Sequence, residues 1–274
     1  MLGKLLKHEF RATGRTMLPV YGAVVLLAVL ANFSIRVMDH SVHFLLTVFC
    51  GLIVAAFVVG IIAAAIMTLV MMIKRFYTNL LKDEGYLMHT LPVSVHGLVW
   101  SKMIVSLVWM LLTNVIIFLL GGLSVMHLTN MNLGAILEGF PSVEEIRSFL
   151  SSVGLSMGDL YLFLGEMVVA VVLSGIVTCL QFYAAMSLGF SFTNHKGLMS
   201  VLCFVGILIV LNTLTNFLGV REVENLTEVT VDSFRGGVQV AQGTVGKALL
   251  YTVFQGALLY LATVLGLKKG LNLA

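Results

Sequence analysis

Charge is scarce in this 274-residue sequence: Asp, Glu, Lys and Arg together make up 11% of it. A soluble domain carries about 25%, and a water-facing surface cannot be covered with so few ionised groups. No hydrophilic stretch is long enough to build a separate soluble domain. Cysteine is nearly absent too. Cys50, Cys179 and Cys203 are odd in number and all lie inside apolar runs, which argues against a disulfide framework. What remains is apolar: 59% of the residues, with a mean hydropathy of +1.04. Lipid is therefore the main solvent.

A bilayer-spanning helix needs about 20 mostly apolar residues. Six stretches qualify, at about 17–38, 44–73, 98–126, 160–190, 198–219 and 247–267. The expected fold is all-α, a single transmembrane domain over residues 1–274. The basic lead before Met17 is too long for a signal-peptide n-region and no clean A-x-A site follows, so the first run reads as a retained helix. Residues 1–16 place Leu2, Leu5, Leu6 and Phe10 on one helical face and Lys4, Lys7, His8, Arg11 and Arg15 on the other. That pattern predicts a short interfacial helix.

Basic residues set orientation. With the N-terminus inside, eleven basic residues face three acids on the cytoplasmic side, a net +8. Five basic residues face ten acids outside, a net −5. The expected protein is a multi-pass plasma-membrane protein with both termini cytoplasmic. Outside, Ser142 and Glu145 have capping-box spacing, and Val143, Ile146, Phe149, Leu150 and Val153 recur at helical spacing, predicting a short surface helix. Residues 220–246 are acidic and polar. There, Arg235-Gly236-Gly237 fits either a hairpin or a pair of short helices.

The segment between the second and third spans carries the most specific pattern, Lys82-Asp83-Glu84-Gly85-Tyr86-Leu87-Met88-His89-Thr90-Leu91-Pro92-Val93-Ser94. Asp83 suits a helix N-cap, Leu91 precedes a proline and disfavours helix continuation, and Ser94 can cap the next helix. A short helix with Tyr86, Leu87, Met88 and Leu91 on it has the shape to plug into a groove on a soluble partner. The competing reading is an ordinary hairpin loop at the membrane surface. The run acidic–acidic–Gly–Tyr–Leu–x–x–Thr–Leu–Pro–Val–Ser, with Ser101-Lys102 downstream, resembles the first cytoplasmic loop of ABC-2 type transporter permeases. Family members commonly carry a Glu-x-Gly-Thr-like segment where this chain reads Glu84-Gly85-Tyr86. The resemblance implies an N-terminal interfacial helix, six spans and a cytoplasmic coupling helix between spans two and three. It also implies that Asp83, Glu84, Gly85, Tyr86, Leu87, Pro92 and Ser94 couple to an ATPase subunit.

No ATPase motif is present. The nearest Gly-Lys, Gly246-Lys247-Ala248, has Ala241 where a Walker A loop needs its first glycine, and Ala248 lacks the Mg²⁺-binding hydroxyl. The expected chain is a transport subunit and not an enzyme. It holds no cofactor or metal, and ATP and Mg²⁺ are bound by partner ATPase subunits. A second copy or a related permease completes the path, and no nucleic acid is a partner. Asp39, His40 and His43 read as loop residues. Within the spans, Asn114, Gln181, Asn212, Asn216 and Gln255 are candidates for helix packing or for a translocation path, and Glu166 is the one acid well inside an apolar run. Ala56, Gly60 and Ala64 form a small-xxx-small seam. A chain of membrane acids and bases, expected of a proton-driven carrier, is missing. The alternatives are a secondary transporter and a non-transporting sensor or scaffold.

Overall fold

A computed structural model describes residues 2–40, 43–81, 94–128, 141–152, 154–192, 195–217 and 234–269, and among them the chain is entirely helix and short connections. The helices are α1 (Leu2–His40), α2 (Phe44–Phe76), α3 (Val95–Leu128), α4 (Val143–Ser152), α5 (Met157–Gly189), α6 (Lys196–Phe217) and α7 (Phe234–Lys269). A π-helical turn, Tyr77–Leu81, continues α2. Six of these are long and apolar enough to cross a membrane, over Gly3–Met38, Phe44–Leu81, Val95–Met126, Met157–Gly189, Lys196–Phe217 and Gly243–Lys268. The chain is a multi-pass membrane protein. Helix is the only open-ended structure that satisfies every backbone group inside hydrocarbon. Span hydroxyls satisfy themselves in the same way, on carbonyls one turn back: Thr68 on Ala64 at 2.9 Å, Thr113 on Trp109 at 2.8 Å and Thr263 on Leu259 at 2.8 Å.

Two expectations change. Helix α1 is unbroken from Leu2 through Pro19 to His40, so the amphipathic lead extends the first span and is not a separate element. Helix α7 begins at Phe234, well before residue 247, so Arg235-Gly236-Gly237 lies in a helix and forms no hairpin. Each glycine there costs about 1 kcal/mol of helix propensity, a penalty that the continuous 36-residue helix absorbs. The capping box at the start of α4 forms as expected: Ser142 N–H donates to Glu145 Oε2 at 2.7 Å, and Glu145 N–H donates to Ser142 Oγ at 3.2 Å. A second box, Ser156 with Asp159, starts α5.

The chain divides into two compact units, Met1–Arg75 with Trp100–Phe140, and Phe76–Val99 with Pro141–Ala274. The first is a three-helix bundle in which α1 and α3 run parallel and α2 antiparallel to both. Lipid removes the hydrophobic drive for helix association, leaving close packing and hydrogen bonds to hold such a bundle. Val24, Ala28 and Ala31 of α1 meet Phe57 and Ala64 of α2. The expected small-residue seam is partly used. A side chain on Gly60 would come within 2.9 Å of Leu27, and Ala64 is buried, but Ala56 is exposed and Phe57 points inward.

In the second unit α5 packs on both α6 and α7. Phe182 and Phe204 stack at 4.7 Å between α5 and α6. Two glycines set how close the helices come. A Cβ on Gly189 would overlap the backbone N and Cα of Ser200 on α6, and one on Gly266 of α7 would sit 2.8 Å from Ser187 Oγ on α5.

Candidate functional site

The first unit buries a polar seam along α1 and α3. At one end Lys102 Nζ donates to Glu9 Oε1 in an ion pair whose residues are 3% and 8% exposed. One turn on, Thr13 donates to the Glu9 carbonyl at 2.7 Å and accepts from Trp109 Nε1 at 2.8 Å. Further along, the Tyr21 hydroxyl lies 2.7 Å from Thr113 Oγ1, which in turn lies 2.8 Å from Thr68 Oγ1 of α2. Asn32 closes the seam, donating to the Ala28 carbonyl at 2.8 Å and to Ser124 Oγ at 3.4 Å. A cavity of about 10 Å³ beside Glu9, Lys102, Ser106 and Arg75 has room for one water.

Ion pairing of this kind is costly unless the geometry is good, and breaking it leaves an uncompensated buried charge. The pair thus favours one register of α1 against α3, together with the Thr13–Trp109 and Tyr21–Thr113 bonds. Sequence reasoning did not find it. The available signal was Lys102 itself, an ammonium inside the apolar run 98–126, where a charge needs a nearby counter-charge.

The second unit holds both ends of the segment 82–93, which itself lies outside the described residues. Asp83, Glu84, Gly85, Tyr86, Leu87 and Pro92 fall there, so of the coupling set only Ser94 is described. Ser94 caps α3, its Oγ accepting from Gly97 N–H at 3.2 Å and its carbonyl from Leu98 N–H at 3.2 Å. Two residues on, His96 Nδ1 is hydrogen-bonded to the Tyr260 hydroxyl of α7 at 2.7 Å. On the other side of the segment, Phe76 stacks flat on Tyr183 of α5 with ring centroids 4.0 Å apart. Tyr77 meets Phe190 edge-on at 5.4 Å, and Lys196 lies 6.0 Å over the same Phe190 ring. Asn79, Leu80 and Leu81 are buried in the π-helical turn, a feature found often at functional sites. Both roots of the segment are therefore fastened to α5 and α7.

The five span amides separate into different roles. Gln255 donates to the Tyr251 hydroxyl at 3.3 Å. Tyr251 donates to the Leu211 carbonyl of α6 at 2.9 Å and accepts from Thr215 at the same distance, so this group fastens α7 to α6. Gln181 is half-buried on α5. Asn212 and Asn216 are exposed and four residues apart, on one face of α6. Asn114 is exposed at the mouth of a groove of about 180 Å³ between α2 and α3. Glu166 is half-buried on α5, with one carboxylate oxygen enclosed and unpartnered among the described residues. Packing accounts for Gln255 but not for the three exposed asparagines. No family model, curated protein or solved structure matches this chain.

Proposed function

We propose that this chain is the permease subunit of an ATP-binding cassette exporter, working as a pair with a second copy or a related chain and driven by separate cytoplasmic ATPase subunits. One observation carries the proposal. The Asp83–Ser94 run, with its acidic start, apolar centre and Pro92-Val93-Ser94 end, joins two helix ends that are clamped by Phe76–Tyr183 stacking and by the His96–Tyr260 hydrogen bond. A partner that pushes on the two helix ends flanking this run would act on α5 and α7. Nucleotide must bind the two states of the assembly with different affinity for such a push to move it. The charge split of +8 against −5 supports cytoplasmic termini and a plasma-membrane setting, with residues 82–93 on the ATPase side. The exposed Asn114, Asn212 and Asn216 are the path candidates.

Co-purification tests this reading. The wild-type chain should bring down a nucleotide-hydrolysing subunit from its native membranes. Tyr86→Ala and Leu87→Asp should weaken that association by at least tenfold, since loss of an aromatic anchor costs about 2 kcal/mol or more. Both variants should insert and express normally. Unchanged association and ATP-coupled transport in both would refute the docking role.

A further inference from the structure

The groove between α2 and α3 holds Asn114, one of the three path candidates, and its chemistry is specific. Ala65, Thr68 and Leu69 form one wall, and Met110, Thr113 and Asn114 the other. It lies deep in the membrane. Asn114 is 16 residues from Leu98 and 12 from Met126, so about 24 Å and 18 Å of helix separate it from the two ends of that apolar run. Centring a hydrocarbon core of about 30 Å on the run leaves Asn114 near the bilayer midplane.

The polar groups of the groove are unevenly satisfied. Thr68 and Thr113 bond to each other and to backbone carbonyls, so their protons are used internally. Asn114 Nδ2 donates to the Met110 carbonyl at 3.0 Å, which uses one of its two protons. Its carbonyl oxygen and second N–H have no partner among the described residues. An exposed carboxamide half-satisfied at this depth is expensive in pure hydrocarbon. The volume, about 180 Å³, is slightly larger than an engineered cavity of about 150 Å³ that takes up benzene.

We infer that this groove is a binding site, reached from within the membrane, for an uncharged amphipathic molecule that presents a hydroxyl or amide to Asn114 and a ring or short alkyl segment to Leu69, Ala65 and Met110. A charged headgroup is excluded by depth and by the absence of a counter-charge among the described groove residues. The polar end pairs with the carboxamide. The site belongs to one helical bundle and binding there requires no ATPase, so its failure is distinguishable from failure of the transporter reading, in which Asn114 is also a path candidate.

Photolabelling tests it directly. The full-length chain in phospholipid nanodiscs, without any ATPase, is irradiated with a diazirine-bearing octanol and, separately, with the matched diazirine octane. Octanol label should concentrate on residues 65–69 and 110–117, exceed octane label there by at least fivefold, and be competed by unlabelled octanol. Asn114→Leu should abolish that preference, while Asn212→Leu should keep it. Label spread evenly over the lipid-facing helices, or an octanol preference that persists in Asn114→Leu, overturns the inference. So does high-yield disulfide dimerisation of Asn114→Cys, on a background lacking Cys50, Cys179 and Cys203, because a second copy would then fill the groove.

Discussion

Replacing Lys102 by methionine should destabilise the α1–α2–α3 bundle far more than replacing Lys102 and Glu9 together. Methionine keeps the length and volume of the lysine stem but removes the charge, leaving Glu9 as a carboxylate 8% exposed with its buried partner gone. Two unit charges about 4 Å apart at an effective dielectric constant of about 20 attract by about 4 kcal/mol. Removing one member of a buried pair costs about 3–5 kcal/mol by experience. The two figures agree, and they correspond to about a 10²- to 10⁴-fold loss in the folding equilibrium. In Glu9→Leu with Lys102→Met neither charge of the pair remains to be desolvated, and stability should return to within about 1 kcal/mol of wild type or exceed it. The assay is denaturant unfolding in mixed micelles, followed by tryptophan emission. The chain has only Trp100 and Trp109, so a Trp100→Phe background leaves a single reporter. Trp109 is buried and bonded to Thr13, one turn from Glu9. A double-mutant cycle with a coupling energy under about 1 kcal/mol, or a Lys102→Met single variant as stable as wild type, would refute the claim that this pair favours one register of α1 against α3.

Further outcomes follow from other parts of the molecule. Gly189→Ala should destabilise the second unit by about 1–3 kcal/mol, because its methyl would meet the rigid backbone of Ser200 and not a movable side-chain tip; an unchanged melting temperature in detergent counts against this close approach. Single cysteines at Ser94 and Lys268, on a background lacking native cysteines, should react only from the cytoplasm and one at Asn225 only from outside, and labelling of Ser94→Cys by an impermeant reagent in intact cells would reverse the orientation. The chain purified without partners should not hydrolyse ATP, since Gly246-Lys247-Ala248 cannot form a phosphate-cradling loop; turnover that survives purification to homogeneity would contradict this.

The spans were legible because hydrocarbon allows only one solution for a short apolar segment, a helix of membrane-crossing length. Six runs in the sequence correspond to six spans, and local rules carried the capping box at Ser142 and Glu145 and the cap at Ser94. The boundaries that failed are those where polarity and backbone geometry disagree. Residues 2–16 and 234–246 are polar enough to read as separate elements, yet both extend a span helix, since propagating an existing helix costs less than starting a new one.

The site separates along the same line. Residue types and depth in the chain were enough to single out Asn114, Gln255 and the Asp83–Ser94 run. Only tertiary packing decided that Gln255 is fastened to Tyr251 while Asn114 opens onto a groove, and that Lys102 meets Glu9 across 93 residues of sequence. Periodicity reports which face of a helix is apolar, and in lipid both faces are. Which of them meets a neighbour is set by where small residues let backbones approach and where a few polar atoms find one another. Those are pairwise facts between distant segments, and no single segment contains them.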